Sequence, residues 1–354
     1  MNRDETGGAA PDQHSAGTDA DHQTSATDAT EPAEFGGPTV VLLGDIMTDL
    51  VARLAGPLVP ASDSPARISV EGGGAAANTA SWLAGLGARS VLLGRIGDDQ
   101  AGRAATRGLR AAGVETRFAI DRQRPTGTVI VLVEPGGERT MVPDPGANET
   151  LTPEDLPADV FEPGAHLHLS GYTLLRASTH EAGMAALDLA RAAGMTVSVD
   201  AASVGPLETA GAERFLGWIN GIDVLFANQS EARTLAAAAH SSTPAITAAV
   251  ESSATIRRLN SVSAARAISE HCGLAVVKLG ALGALACSST GDYEYVDAVA
   301  VGAEATIDST GAGDAFAAGF LRPWVTGSPL SEALRSGCAL AARAVRVIGA
   351  RSAS

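Results

Sequence analysis

The chain has 354 residues, of which 45% are hydrophobic and 18% charged, so it is able to bury a sizeable core. Its net charge of −15 argues against nucleic acid or an acidic membrane as a partner, because such partners need a basic surface. The three cysteines are scattered and form no CxxC pair, which argues against a disulfide framework or structural zinc. The N-terminus lacks an apolar signal segment, and no apolar run reaches the ~18 residues of a membrane span. We therefore expect a cytoplasmic protein.

The first 37 residues differ in composition from the rest. They hold eight acidic residues and one arginine, so this segment carries seven of the fifteen net negative charges of the chain. Large apolar side chains are almost missing from this segment, so it cannot bury enough surface to offset its ordering entropy. We predict a disordered acidic tail over 1–37 and one folded domain over 38–354.

The folded part begins with a continuous apolar run, Thr39–Gly44, which indicates a buried parallel strand. Asp49 comes shortly after it, in the region beyond a strand end where α/β proteins place ligand contacts. The alternative is a turn aspartate that accepts local N–H groups. Residues from about 50 to 70 are interrupted by three prolines, which indicates irregular, edge-strand-like structure.

A glycine-rich turn, Glu71–Asn78, then precedes an Ala/Leu helix that ends near Gly85. Gly73 and Gly74 allow the backbone to approach a ligand closely, and the Asn78 amide offers both a donor and an acceptor. The GxGxxG spacing of a dinucleotide site is absent.

Alternating strands and helices fill the middle of the chain. Ser90–Gly97 predicts a buried strand, followed by a helix capped by Asp98 or Asp99. A hairpin is indicated where the strands near 128–134 and 139–142 flank a Pro-Gly-Gly-Glu turn. The strand at His166–Gly171 places two histidines on one face, but no third ligand is near, so we predict no metal site there.

The next strands continue a parallel βα pattern, at 196–199 and 223–227. Asn228 and Glu231 follow the second of these strands, where they fit either a helix N-cap box or a magnesium site. Residues 236–262 are rich in Ala, Ser and Thr, and we interpret them as a partly helical insertion. A strand, a glycine turn and another strand then follow over 274–284.

Near the C-terminus lies the stretch Asp308-Ser-Thr-Gly-Ala-Gly-Asp-Ala-Phe316, which opens an Ala-rich helix. Its two glycines permit successive N–H groups, from Gly311 to Asp314, to converge at the helix start. Such a helix start is an anion site. Asp314 adds a carboxylate there, as expected for a general base beside a transferring phosphoryl group. The alternative is an aspartate favoured only by the helix dipole. Apolar helices are predicted at 315–321 and 331–347.

This stretch resembles the C-terminal signature of the ribokinase-like (PfkB) carbohydrate kinase family. The resemblance extends from about Val40 to Gly349 through several motifs in the family's order. It implies a three-layer α/β/α fold with a mostly parallel central sheet and a small β lid, formed by about 50–70 and 117–143. No GxxxxGK[ST] motif is present, so a P-loop kinase is excluded.

The resemblance also implies roles for individual residues. Asp314 would be the base, and Gly311, Ala312 and Gly313 would complete the anion hole. The acceptor-binding residues would be Asp49, Gly73, Gly74, Asn78, Ser170 and Arg139. ATP would contact Asn228, Lys278, Gly280, Gly283 and Thr310. Glu231 would hold Mg²⁺ through water, and Asp308 would serve a monovalent cation such as K⁺.

The acceptor itself stays open. Ribokinases have Asn, Lys and Glu where this chain has Met47, Ala75 and Ser170. His-Leu-Ser-Gly at 168–171 resembles ketodeoxygluconate kinases, but their Asp-x-Asn-x-Arg is missing after Asp200. We predict ATP-dependent phosphorylation of a hydroxymethyl group on a small sugar or sugar acid. The alternatives are a nucleoside kinase and a non-catalytic ligand-binding protein on this fold. A homodimer is an expectation from the resemblance.

Overall fold

The computed structural model describes residues 37–136, 138–239, 253–302, 309–347 and 349–351. Three predicted regions lie outside the described residues: positions 1–36 of the predicted tail over 1–37, the middle of the predicted insertion, and Asp308.

A nine-stranded sheet forms the centre of the fold, in the order β13-β12-β11-β10-β9-β8-β1-β4-β5. Seven neighbouring strands, from β11 to β5, are parallel, and β12 and β13 add an antiparallel edge. Its strands are β1 (Val40–Leu43), β4 (Ser90–Gly97), β5 (Glu115–Asp121), β8 (His166–Ser170), β9 (Thr196–Asp200), β10 (Ile222–Asn228), β11 (Cys272–Lys278), β12 (Ala284–Ser288) and β13 (Tyr293–Val296).

Ten helices are described, and they cover both faces of this sheet. They are α1 (Ala75–Gly85), α2 (Gln100–Ala111), α3 (Gly171–Leu175), α4 (His180–Ala192), α5 (Val204–Ala210), α6 (Ala212–Trp218), α7 (Gln229–Ala239), α8 (Ala254–Ser269), α9 (Ala312–Trp324) and α10 (Leu330–Ala344). Alternate residues of a strand point to opposite faces. Val41 and Leu43 therefore join the core under α4 to α8, whereas Val40 and Leu42 join the core under α1, α2, α9 and α10. The predicted three-layer α/β/α fold is confirmed.

A second, four-stranded sheet forms the lid, in the order β3-β2-β6-β7. It consists of β2 (Met47–Leu54), β3 (Ala66–Gly73), β6 (Gly127–Val133) and β7 (Arg139–Asp144). The predicted lid boundary at 117 needs correction, because residues 115–121 form β5, which pairs in parallel with β4 of the large sheet. β5 extends the large sheet at its edge, and the chain turns toward the lid only after Asp121.

Two other local predictions have clear outcomes. Asp99 caps α2, since its Oδ1 accepts a 2.7 Å hydrogen bond from the N–H of Gly102. The predicted insertion is corrected at both ends: residues 236–239 finish α7, and residues 254–262 begin α8. Ala264, Ala265 and Ile268 of α8 are buried against the sheet, so this helix belongs to the core layer.

No helix within the described ranges is both long enough and apolar enough to cross a membrane.

Candidate active site

The site begins with Asp49, on the inner face of the lid strand β2. Its side chain lies over Gly73 of the paired strand β3, and a Cβ at Gly73 would collide with the Asp49 carboxylate. The next residue, Gly74, has φ 96 and packs so closely on the Asp45 carbonyl that no side chain fits there. The glycine-rich turn is thus shaped to bring a buried carboxylate next to the start of α1.

Asp314 lies opposite, in the first turn of α9. The residue before this helix, Gly311, has φ 71, a left-handed conformation that suits glycine. The N–H groups of Gly313 and Asp314 lie in the first turn, where a helix supplies no acceptor. The N–H of Ala312 differs, because it already donates to the Ser309 carbonyl at 3.3 Å. The predicted anion hole therefore depends mainly on Gly313 and Asp314.

Asn78 links these two sides of the site. Its Nδ2 donates to Oδ2 of Asp314 at 2.8 Å, and its Oδ1 accepts from Nε of Arg351 at 3.1 Å. We predicted that Asn78 binds substrate, and its placement adds a direct contact with the proposed base. A hydrogen bond to the ionised carboxylate favours the charged form.

Both carboxyl groups have raised pKa values. Burial raises the pKa of Asp314 to about 6, and the charges of Asp200 and Asp49 add to this effect. Burial also raises the pKa of Asp49 to about 6, with Arg351 opposing the shift and Glu71 supporting it. A base with a pKa near 6 is ionised at neutral pH and still accepts a proton readily.

Lys278 lies on the other side of the α9 start. Its Nζ forms a 2.7 Å ion pair with Oδ2 of Asp200, and it is 3.3 Å from the position that a Cβ on Gly313 would occupy. Burial lowers the pKa of Lys278, but Asp200 and Glu231 outweigh burial, so its pKa is above the ordinary value. A permanently charged ammonium therefore lies next to the predicted anion hole, as we expected for a residue close to phosphate.

Asn228 and Glu231 form a reciprocal cap at the start of α7. The Glu231 carboxylate accepts from the backbone N–H of Asn228 at 2.7 Å, and Oδ1 of Asn228 accepts from the N–H of Glu231 at 3.0 Å. These contacts are those of a helix N-cap box, which is one of the two alternatives that the sequence left open for this pair. Burial, together with the charge of Asp200, raises the pKa of Glu231 to about 7. Asp200 and Glu231 thus place two carboxylates close together, and a nearby cation would stabilise their ionised forms.

The remaining predicted residues occupy different places. Arg139 of the lid donates from Nη1 to Oγ of Ser309 at 2.9 Å, so the lid contacts the segment before α9. Ser170 is buried and packs against Gly44. Gly280 and Gly283 form the turn between β11 and β12, with φ 60 and φ 101. Thr310 comes just before α9.

Three site residues were not predicted from the sequence. Arg351 reaches Asn78 and the Gly73 carbonyl from the C-terminal end. Asp200 pairs with Lys278, and Arg176 forms two hydrogen bonds with the Asp45 carboxylate, at 2.8 and 3.2 Å. Only Asp200 had a local signal, because it ends a buried strand. The other two depend on contacts between distant parts of the chain.

Comparison with known proteins agrees with this fold. Residues 38–354 match the family described as pfkB family carbohydrate kinase. The ATP-dependent ribose-1-phosphate kinase of Halopiger xanaduensis is 31% identical over 328 residues, which are 89% of this chain and 94% of that protein. The adenosine kinase of Sinorhizobium meliloti has a TM-score of 0.75 at 26% identity, covering 90% of this chain and 97% of the other. Ribokinase of Cryptococcus neoformans var. grubii serotype A has a TM-score of 0.72 at 22% identity, covering 88% and 95%.

The ribokinase-like fold, together with these relatives, defines a kinase that phosphorylates an alcohol group. The chain belongs to the PfkB family of carbohydrate kinases.

Proposed function

We propose that this protein transfers a phosphoryl group from ATP to a hydroxymethyl group of a small sugar or sugar acid. The observation that supports this most is the position of the Asp314 carboxylate. It lies in the first turn of α9 and contacts Asn78, on the side of the site where Asp49 also lies. A carboxylate that would repel phosphate is useful at an anion site when an acceptor hydroxyl must lose its proton there.

In this proposal Asp314 removes the proton of the acceptor hydroxyl while that oxygen attacks the phosphoryl group. The N–H groups of Gly313 and Asp314 stabilise the negative charge that accumulates on the phosphoryl oxygens. Lys278 adds a positive charge within a few ångströms of the same helix start. The Ala312 N–H would take part only if it exchanged its bond with Ser309.

The acceptor would be held by Asp49, the Gly73–Gly74 backbone and Asn78. Asp49 is able to accept hydrogen bonds from two sugar hydroxyls, and the glycines leave room for a polyol against the backbone. The contact between Arg139 and Ser309 supports lid closure over the site, which would exclude water as a competing acceptor.

ATP enters this scheme as a magnesium complex. No cluster of three or more His, Cys, Asp or Glu residues suited to a metal ion occurs in the described part of the chain. A magnesium ion carried by nucleotide phosphates needs no such cluster, because it keeps several waters. Glu231, with its neighbour Asp200, would contact those waters, and the ion and Lys278 would together balance the negative charge of the phosphates. A role for Asp308 and Thr310 in binding K⁺ stays a prediction.

A nucleoside kinase is the second candidate, and the likeness to the Sinorhizobium adenosine kinase favours it. It would use the same base and anion hole on the hydroxymethyl group of a nucleoside. An ADP-release assay with ribose, ribose-1-phosphate, fructose, gluconate and adenosine separates the candidates. A protein that turns over none of them would support the non-catalytic alternative.

The central test is the Asp314→Asn variant. We expect kcat to fall by about 10²–10⁴-fold, since the base is removed while the shape is kept. Burial of the ionised carboxylate costs stability at neutral pH, so the variant should melt at the same or a higher temperature. Asp188→Asn, which changes an exposed aspartate of α4, is the control and should keep wild-type kcat. Full turnover by Asp314→Asn would overturn the proposed mechanism.

We further propose that the protein is a homodimer formed through the outer face of the lid. Val70, Ile130 and Val142 lie in one cross-strand row of that sheet, and they are 69%, 44% and 53% exposed. Ile68 lies on the same face and is 71% exposed. An apolar patch of this kind is typical of an interaction surface.

A further inference from the structure

The C-terminal segment 349–351 lies inside the acceptor side of the site. The Ala350 carbonyl accepts a 3.0 Å hydrogen bond from Nε1 of the buried Trp82 on α1. A Cβ on Gly311, just before α9, would lie 2.6 Å from the same Ala350 carbonyl oxygen. This segment is therefore anchored between α1, the lid and the start of α9, and its anchor determines where the next residue, Arg351, projects.

Arg351 projects toward the acceptor residues. Its Nη2 donates to the Gly73 carbonyl at 2.6 Å, and its Nε donates to Oδ1 of Asn78 at 3.1 Å. Its Nη1 lies against the Cα of Gly72, where any side chain at position 72 would collide with the guanidinium. The guanidinium therefore fits against β3 because position 72 is a glycine.

Among the residues that the structure describes, none forms a direct ion pair with Arg351. Within the described ranges, no carboxylate oxygen lies within 4.0 Å of its guanidinium, although Asp49 and Asp314 both influence it electrostatically. Only two of its five N–H donors have partners in those ranges. Burial lowers the pKa of Arg351 to about 10, so it is still protonated at neutral pH. A largely buried cation whose remaining N–H donors have no protein partner in those ranges is placed to bind a ligand.

A neutral polyol has no need of this cation, since the carboxylate Asp49 and the amide Asn78 already supply its hydrogen bonds. An acceptor with its own negative charge needs a cation here, because the carboxylates of Asp49 and Asp314 would otherwise repel it. Guanidinium groups match phosphate and carboxylate oxygens with paired, charge-assisted hydrogen bonds.

We propose that Arg351 is a specificity-determining residue that binds an anionic group, a phosphate or a carboxylate, on the sugar acceptor. This proposal deepens the proposed sugar kinase function and rests on it for turnover. Binding of the anionic sugar does not depend on turnover, so the two are tested separately.

The test compares matched acceptors in the full-length wild type and in Arg351→Gln. The pairs are ribose-1-phosphate against ribose, for the phosphate, and gluconate against glucose, for the carboxylate. We expect one anionic member to have the higher kcat/KM, and Arg351→Gln to lower that value by about 10- to 100-fold. The value for the neutral partner should change by less than about threefold, and whichever anion responds identifies the anionic group.

Two further variants sharpen the test. Gly72→Ala keeps the charge but displaces the guanidinium, so it should reduce the preference for the anion as Arg351→Gln does. Arg346→Gln removes an equal charge from an exposed position near the C-terminus and should leave the preference unchanged. Calorimetric titration with each anionic sugar measures binding directly. If the wild type binds one anion, Arg351→Gln does not, and neither phosphorylates it, the inference stands and the proposed function fails.

Two results would overturn the inference. One is equal binding of the anionic sugars to wild type and Arg351→Gln, or binding to neither. The other is a wild type that prefers a neutral acceptor, combined with a kcat/KM for that acceptor at least tenfold higher in Arg351→Gln. That result would mean that Arg351 blocks the acceptor site.

Discussion

Asp49 and Asp314 bring two carboxyl groups of similar pKa to one side of the site. Asn78 contacts Asp314 directly, and Gly73 allows Asp49 to lie against the backbone. Burial raises both pKa values from 3.8 to about 6, so each group loses its proton around pH 6, at a higher pH than an exposed aspartate would. The two groups influence each other, and their titrations belong to the pair.

The first residue-scale prediction concerns pH. Asp314 must be ionised to accept a proton, so kcat/KM should be constant above about pH 7 and fall as the pH drops through about 6. Because Asp49 titrates in the same range, the fall should be steeper than that for a single proton. Initial rates between pH 5 and pH 8 in a constant-ionic-strength buffer measure this profile.

The Asp49→Asn variant provides the comparison. Its rates should be lower throughout, since an acceptor contact is weakened, but the acid limb should flatten toward a single-proton slope. A wild-type profile that stays level down to pH 5 would contradict the assignment of Asp314 as the base.

At the scale of elements, the carboxyl ends of β9 and β11 supply a charged pair beneath the start of α9. Asp200 ends β9 and Lys278 ends β11, and β10 lies between them in the sheet. The pair keeps the ammonium group close to Gly313 while Glu231 on α7 adds a further negative charge. Burial works against the ionised form of Asp200, but Lys278 outweighs it and lowers the pKa of that carboxyl.

We predict that Asp200→Asn weakens the use of ATP. Without its partner, the buried Lys278 loses much of what keeps its pKa high, and its ammonium is free to move away from the α9 start. KM for ATP should rise by about tenfold or more, as expected for the loss of a buried charge partner, whereas KM for the acceptor should change little. Steady-state kinetics with each substrate varied in turn measure both values.

The surface variant Asp188→Asn again serves as the control. If Asp200→Asn raised the KM of the acceptor instead, Lys278 would belong to the acceptor side, and our assignment to the phosphate side would be wrong.

At the scale of the whole molecule, the lid has two faces of opposite character. Residues alternate along its strands, so Asp49 faces the site while Leu50 lies in the outer row with Val70 and Ile130. In the proposed function, the inner face of the lid serves the acceptor site. The outer face leaves large apolar side chains exposed, and a second subunit would cover them.

We therefore predict that the wild type elutes as a dimer and that Ile68→Glu elutes as a monomer. A charge in the centre of an apolar interface is costly because it is desolvated without a partner. Size-exclusion chromatography with light scattering measures the molar mass. Ile120→Glu is the matched control, since Ile120 is also exposed but lies on β5 of the large sheet. A monomeric wild type, or a dimer that tolerates Ile68→Glu, would contradict this interface.

The sequence by itself determined the fold class and the central motif of this protein. Continuous apolar runs such as Val40–Leu43 and Ser90–Gly97 indicate buried parallel strands regardless of their neighbours. The left-handed Gly311 begins the helix whose first turn contains Asp314, and Asp99 caps its helix, because these are interactions within a few residues of the chain.

Only the tertiary structure decided which distant residues complete the site. Arg351 meets Asn78 across 273 positions, and Asp200 meets Lys278 across 78. The lid boundary also depended on the pairing of β5 with β4, which no local pattern specifies. Such contacts arise from how strands are ordered and where the chain end is anchored. Periodicity and turn residues determine local conformation, but they carry no information about which segments become neighbours in space.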